Sequence, residues 1–340
     1  MMKTSNFSFN IPEERIAQNP PSVRGTSRLM VLDRNSGGIE DSHFRHLPDL
    51  LPQNSLLVFN NSKVRKARIY AKSSITNGKV EFLFIERIKP KEWKVLVNKS
   101  KKQKIGKMFD IGNGISATIT GDDDAYKIIS LNKELSESYF DEYGHVPLPP
   151  YIKRKDRGED AKRYQTIYFK EIGSSAAPTA GLHFTDSVIN RLKEKGIEIL
   201  FVTLHVGIGT FLPIRTENVE DHVMHEEKYY ISENTANIIE QALNRGINII
   251  GVGTTVVRTL ESAYSEGKII SGNHKTSLYI YPGYKFKVIS GMLTNFHTPK
   301  STLLVMVSAF AGDKLIKKAY SHALENDYRF FSYGDAMLIL

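Results

Sequence analysis

The sequence predicts a mixed α/β core domain with a small all-β barrel inserted into it. Three observations carry this expectation. The second half of the chain alternates amphipathic helical patterns with short apolar runs. Residues 67–131 instead hold five short β-like segments at tight spacing, the pattern of a small barrel or sandwich. Pro147–Tyr151 (PLPPY) then marks a boundary, because proline suits neither a central strand nor a helix interior. The expected units are residues 1–66 with 149–340 as the α/β domain, and 67–148 as the insert.

Each element follows from local signals. Ser55–Asn61 (SLLVFNN) is a short apolar run ended by two asparagines, hence a buried strand. The barrel strands are expected at Ala67–Lys72, Lys79–Glu86, Trp93–Asn98, Ile115–Thr120 and Tyr126–Leu131, with turns at Asn77-Gly78, Gly112–Gly114 and Gly121-Asp122. Asp186–Lys195 reads as a helix capped by Thr185 and stopped by Gly196. Ile197–Val206 is apolar enough to be a strand buried on both faces. Glu233–Arg245 is an amphipathic helix between Ser232 and Gly246. Ile247–Val252 is another buried strand, followed by a helix over Thr255–Ser265. Helices are expected at Ser301–Phe310 and Asp313–Glu325. The tail Tyr328–Leu340 is aromatic and apolar, so it should be packed rather than frayed.

At 340 residues and 41% hydrophobic content the chain can bury a large core and is not a disordered sequence. It has no cysteine, which excludes disulfides, thiolate zinc sites, iron–sulfur clusters and cysteine nucleophiles. No signal peptide is visible at the start, and the apolar run Leu303–Phe310 is far short of a membrane span. A soluble, cytoplasmic protein is expected. The oligomeric state is not readable from the sequence, and a monomer is one expectation.

The formal charge of +9 is unevenly placed. Residues 1–60 are neutral, residues 61–170 carry 24 basic and 14 acidic side chains, and residues 171–340 carry 16 and 17. Clusters fall at Lys63, Arg65, Lys66 and Arg68, at Lys101, Lys102, Lys104 and Lys107, and at Lys153, Arg154, Lys155 and Arg157. Such concentration suits a polyanion partner, although a solvated lysine-rich surface gives the same count.

Glycine and polar residues gather in six clusters of the more neutral remainder. Ala176–Phe184 (AAPTAGLHF) offers Thr179, Gly181 and His183. His205–Phe211 (HVGIGTF) ends a predicted strand and brings His205, Gly207, Gly209 and Thr210 to the place where open α/β sheets bind ligands. His222–Glu227 (HVMHEE) spaces two histidines i, i+3 beside Glu226. On a helix that could serve a metal, but no third ligand is evident, so no metal is expected. Gly251–Glu261 (GVGTTVVRTLE) reads strand, Gly253-Thr254-Thr255 turn, helix, a start that can hold an anion. Arg258 and Glu261 on that helix read as a surface ion pair. Thr294–Thr302 contains His297, and the tail contains Tyr333-Gly334-Asp335.

Taken together and in order, these stretches resemble one family nearly end to end. With Ser27–Asp33 (SRLMVLD), Leu56–Val64 (LLVFNNSKV), Gly144–Ile152 (GHVPLPPYI) and Tyr164–Tyr168 (YQTIY), the chain is similar to the S-adenosylmethionine:tRNA ribosyltransferase-isomerases of queuosine biosynthesis, the QueA family. It departs from the family pattern at Ser62-Lys63, where Thr-Arg is usual, and at Thr298, where Leu is usual. Lysine in place of arginine gives up the bidentate fork.

The resemblance implies an α/β domain paired with a β-barrel, and a specific reaction. The ribosyl part of S-adenosylmethionine, a consumed co-substrate, is transferred and isomerised onto 7-aminomethyl-7-deazaguanine at the tRNA wobble position. Epoxyqueuosine-tRNA forms, and adenine and methionine leave. His183, His205, His225 and Glu226 are then expected to move protons. Thr179, Gly181, Gly207, Gly209, Thr210, Gly253, Thr254, Thr255, Arg258, His297, Tyr333 and Asp335 are expected to hold substrate. Lys63, Arg65, Lys101, Lys102, Lys104 and Arg154 are expected on tRNA. A Rossmann-type methyltransferase would need an acidic, glycine-rich loop after an early strand, which the sequence lacks. A simple RNA-binding module would leave the histidine and glycine clusters unexplained.

Overall fold

Ser55–Asn60 forms the middle of the molecule, with all six residues buried in the computed structural model. The structure describes residues 1–123, 125–207 and 213–340. Along the chain, β1 (Arg28–Asp33) and β2 (Gly38–His43) pair as a hairpin, α1 (Leu47–Leu50) leads to β3 (Ser55–Asn60), and β4 (Ser62–Val64) follows. The insert comprises β5 (Arg68–Ser73), β6 (Lys79–Lys89), β7 (Glu92–Val97), β8 (Met108–Asp110), β9 (Ser116–Asp123) and β10 (Tyr126–Leu131). Then come α2 (Glu137–Tyr143), α3 (Asp160–Arg163), β11 (Glu171–Ser174), α4 (Asp186–Glu194), β12 (Glu198–Leu204), β13 (Glu227–Ile231), α5 (Glu233–Asn244), β14 (Asn248–Val252) and α6 (Thr254–Ala263). A small hairpin of β15 (Tyr264–Ser265) and β16 (Lys268–Ile269) precedes β17 (Gly272–Thr276) and β18 (Gly291–Asn295). Helices α7 (Thr302–Ala311) and α8 (Asp313–Glu325) and strand β19 (Ala336–Ile339) complete it.

The large sheet has nine strands in the order β17-β13-β12-β3-β14-β18-β19-β1-β2. Its centre, β12, β3, β14 and β18, is parallel, so these four strands end together on one edge. Alternation sends Leu56 and Val58 to one apolar core and Leu57 and Phe59 to another. Helices α5 to α8 cover the first face, while α1 and α4 cover the second. Strand β12 is less buried than its sequence suggests, because Glu198 and Phe201 are exposed in its first half. The tail is packed as expected. Strand β19 runs antiparallel to β18 and parallel to β1.

The insert is a closed antiparallel barrel, β10-β7-β6-β5-β8-β9. It has six strands, not five; the additional one, Met108–Asp110, is only three residues long. Alternate side chains of β7 and β10 point inward, and Trp93, Phe82, Phe84 and Phe109 fill the interior. The Lys228 ammonium on β13 meets Glu86 on β6 at 2.6 Å, tying barrel to sheet.

Capping follows the sequence closely. Thr185 and Ser232 accept from the backbone N–H groups of Val188 and Thr235. Helix α6 starts one residue earlier than expected and stops at Ala263. His222 and His225 do not share a helix. Val219–Asp221 is a 3-10 turn, and irregular chain then runs into β13.

Candidate active site

A cleft opens at the carboxyl ends of the parallel strands. Val206 beyond β12, Gly253 beyond β14 and Asn295 at the end of β18 all line it. Ala177–Ala180 forms a second side, and Tyr151, Phe331 and Ser332 form a third. Five predicted substrate-binding residues therefore meet here: Thr179, Gly253, Thr254, Thr255 and His297.

Gly253 adopts a φ of +93°, a region that side chains avoid, and its N–H donates to the Leu293 carbonyl at 2.8 Å. This turn delivers Thr254 and Thr255 as the first residues of α6, whose N–H groups have no acceptor within the helix. Asn60 steadies the turn from β3. Its side-chain amide donates to the Leu204 carbonyl at 3.0 Å and to Thr255 Oγ1 at 3.3 Å. Its Oδ1 accepts from the Ser62 and Leu204 N–H groups. One buried asparagine thus aligns the ends of β3, β12 and α6.

His297 is the imidazole in the cleft. Its Nε2 lies 2.8 Å from Thr294 Oγ1, and its backbone N–H donates to the Tyr320 hydroxyl. Nδ1 has no partner among the described residues. Burial lowers its pKa to about 3, so the ring is neutral at pH 7.

His183 stands just behind, on the far side of Asn295. The Asn295 amide donates to the Phe331 carbonyl at 3.2 Å and faces the Asp335 carbonyl at 3.4 Å. Two carbonyls fix which end of that side chain is NH2, so His183 Nε2, at 3.1 Å, must accept from it. His183 Nδ1–H then donates to Ser27 Oγ at 2.9 Å. Burial, and secondarily Arg24 and Arg329, lowers its pKa to about 3. Both His183 nitrogens are thus engaged, and its ring stacks on Phe44.

The tail residues are also built into the scaffold. Asp335 accepts from the Arg28 and Arg329 N–H groups, both at 2.8 Å, and burial raises its pKa. Tyr333 donates to Asp160 at 2.8 Å. Arg154 grips the same carboxylate with two bonds of 2.6 and 2.8 Å. Burial alone would raise the Asp160 pKa; Arg154, the Arg157 N–H and Tyr333 outweigh it and hold the pKa below the ordinary value.

Arg258 and Glu261 are not a surface pair. Both are buried, and each has other partners. Glu261 accepts from the N–H groups of Lys287, Val288 and Ile289. Arg258 is ion-paired with Glu227, whose other oxygen accepts from the Gly207 N–H at 2.8 Å. This pair anchors the start of the loop after β12.

The remaining predicted residues lie elsewhere. His205 points away from the cleft, as the neighbour of inward-facing Val206, and packs on Gly173, where a Cβ would come within 2.8 Å of its ring. Burial, then Arg65 and Lys228, lowers its pKa. His225 and Glu226 are exposed, and Glu226 pairs with Lys275 at 2.8 Å. Gly181 sits under Tyr168, leaving no room for a side chain. Gly209 and Thr210 lie outside the described residues.

The cations divide in the same way. Lys101, Lys102 and Lys104 are exposed on the barrel and make no ion pair among the described residues. Arg65 is bound by Glu137 through two bonds, and Arg154 is committed to Asp160. Lys63 lies over the Phe169 ring. Sequence reasoning passes over Asn295, Glu227, Tyr151 and Ser332. All four lie inside quoted motifs, but nothing local distinguishes them from their neighbours.

A mixed sheet with a cleft at its strand ends, joined to an inserted barrel whose flanks carry most of the positive surplus, defines an α/β enzyme that suits a polyanionic partner. Residues 4–339 match the family described as "Queuosine biosynthesis protein", and the chain belongs to that family. It is 53% identical to the S-adenosylmethionine:tRNA ribosyltransferase-isomerase of Treponema denticola over the full length of both chains. It is 47% identical to the enzyme of the same name from Clostridioides difficile, covering 99% of this chain and all of that one. The crystal structure of an S-adenosylmethionine tRNA ribosyltransferase from Thermotoga maritima matches at 36% identity with a TM-score of 0.58, covering 99% of this chain and all of that chain. No helix among the described residues is long and apolar enough to cross a membrane.

Proposed function

We propose that this chain is an S-adenosylmethionine:tRNA ribosyltransferase-isomerase. It moves the ribosyl part of S-adenosylmethionine onto the amine of 7-aminomethyl-7-deazaguanine at the tRNA wobble position and forms epoxyqueuosine. The observation that carries the site assignment is the cleft, where four of the sequence motifs meet the Tyr151–Phe331 wall. Residues 1–66 and 149–340 form the catalytic unit, and residues 67–148 form the inserted barrel unit.

The cleft's chemistry fits the small substrate. The aromatic faces of Tyr151 and Phe331 suit a sulfonium cation. The start of α6 at Thr254 and Thr255 suits the methionine carboxylate or the ribose hydroxyls. Arg258 does not take that carboxylate, because Glu227 already neutralises it.

The sulfonium acidifies the adjacent 5′ carbon, and a base removes that proton. The bond from C1′ to adenine breaks and adenine leaves with a proton, while the tRNA amine gives up a proton as its nitrogen bonds C1′. C5′ bonds C1′ to close the carbocycle, and the ribose ring oxygen, released from C1′, closes the epoxide on C5′ as methionine departs with the C–S electron pair. Neutral His297, a cleft residue whose Nδ1 makes no hydrogen bond among the described residues, is our candidate acceptor of a proton. Asn295 and His183 hold the neighbouring backbone in place. Lys101, Lys102 and Lys104 contact tRNA phosphates.

Adenine release from S-adenosylmethionine tests this reading. It should require tRNA carrying the aminomethyl precursor, and His297→Gln should slow it at saturating substrates. Release that ignores the precursor would overturn the assignment.

A further inference from the structure

Away from the cleft, residues 167–172 expose three large apolar side chains. Ile167, Phe169 and Ile172 are 37%, 42% and 39% accessible. One such residue needs no explanation, but three within six positions form a patch. The patch is edged with positive charge. The Lys63 ammonium lies 5.3 Å from the centre of the Phe169 ring, and β4–β11 pairing sets Lys63 opposite Ile172. Lys170, next in sequence to Phe169, is exposed, with the Glu171 carboxylate 3.9 Å from its ammonium.

Next to the ring opens a recess of about 180 Å³, lined by Phe169, Lys63, Lys66 and Tyr164 and also by Asp141 and by Asp160, which Arg154 neutralises. Lys66 spends one of its three donors on the Asp141 carbonyl, at 2.8 Å. Tyr164 is fully buried, and its hydroxyl lies close to Ser332 and the Ala177 backbone, both in the wall of the cleft. Tyr164 therefore borders the recess on one side and approaches the cleft wall on the other.

We propose that Phe169, with Lys63 and Lys66, seats an unpaired RNA nucleotide adjoining the one that enters the cleft. The proposal rests on the reading of the chain as a tRNA-modifying enzyme and adds a location and a residue set to it. Single-stranded RNA is held by stacking on exposed aromatic rings and by cations along its backbone, and this patch offers both. A wobble nucleotide has unpaired neighbours in its loop, so a seat one nucleotide from the cleft would always find an unstacked base. An apolar protein partner would use the ring and the two isoleucines equally well. The surrounding charge favours RNA, because residues 61–170 hold a net +10 in a chain of +9.

The test is an anisotropy titration of a fluorescent anticodon stem-loop RNA against the full chain. Phe169→Ala should weaken binding about 5- to 150-fold, the range found for one stacked base. Phe169→Trp should restore it and Phe169→Leu should not. Lys63→Ala and Lys66→Ala should each lower the salt slope by about 0.7. The KM for S-adenosylmethionine should stay unchanged in all five variants. Wild-type affinity in Phe169→Leu would overturn the stacking role. A change in oligomeric mass with unchanged RNA affinity in Phe169→Ala would show a self-association surface instead. Binding needs no turnover, so the two readings fail separately. Ring-dependent binding without adenine release sinks the reaction assignment alone. Normal adenine release with an unchanged tRNA KM in Phe169→Ala sinks the seat alone.

Discussion

Two buried histidines should make stability fall steeply as the pH drops through mild acid. His183 and His297 both have folded-state pKa values of about 3, against about 6.5 for an unfolded histidine. Between these limits the unfolded chain binds protons that the folded chain refuses. Stability is therefore full above about pH 6.5 and is lost as the pH falls towards 3, at about 1.4 kcal/mol per pH unit for each ring. From pH 7 to pH 5 the loss is about 2 kcal/mol for each histidine, or about 4 kcal/mol for the two. Asp160, with a lowered pKa, adds to this loss in acid, and Asp335, with a raised one, opposes it. Those terms are shared by wild type and variants, so the difference isolates the histidines. Urea unfolding midpoints at pH 7 and pH 5 would be compared for wild type, His183→Gln and His297→Gln. His205 and His222, whose pKa values are also lowered, deepen the total drop, so each variant, though weaker at pH 7, should show a drop about 2 kcal/mol smaller than wild type. An undiminished drop in both variants would refute the claim that these rings are buried and neutral.

Three further outcomes follow from the geometry. Glu227→Gln leaves the Arg258 cation buried without its counter-charge, a loss of about 3 to 5 kcal/mol that would lower the Tm by about 4 to 7 °C in a chain of this length. Adding Arg258→Met to that variant should recover much of the loss, and no recovery would mean the pair is not the cause. Gly181→Ala should destabilise the fold, because its Cβ would stand 2.1 Å from the Tyr168 hydroxyl. A thermal melt equal to wild type would show that the loop gives way freely. Replacing Lys101, Lys102 and Lys104 with Glu should weaken tRNA binding and reduce its salt slope by about 2 to 3, with S-adenosylmethionine affinity unchanged. An unchanged tRNA affinity would mean that these lysines only solubilise the barrel.

What the sequence reveals depends on how local the cause is. Thr185 and Ser232 cap their helices as read, since a cap and its acceptor are three residues apart. Strand Met108–Asp110 is too short to show a period, and the polar edge strands Gly38–His43 and Gly272–Thr276 carry no alternation to read. Their neighbours in the sheet, not their own residues, make them strands. The site shows the same division. The Gly253-Thr254-Thr255 turn is visible because glycine and hydroxyls mark it. The direction of each side chain is not, since His205 and Val206 are adjacent yet face opposite sides. Arg258 suggests a partner three residues on, but its actual partner is 31 residues upstream. The charge surplus locates a basic region, yet it cannot tell free Lys101 from Arg154, which a buried aspartate has already claimed.

The most direct measurement follows both ends of S-adenosylmethionine at once. The chain is mixed with precursor tRNA and S-adenosylmethionine labelled in the ribosyl carbons in one sample and in the methyl group in another. The account predicts that the ribosyl label enters tRNA as adenine is released in equal amount, while the methyl label leaves with methionine. Methyl label on tRNA, or ribosyl label that never reaches it, would contradict the central claim.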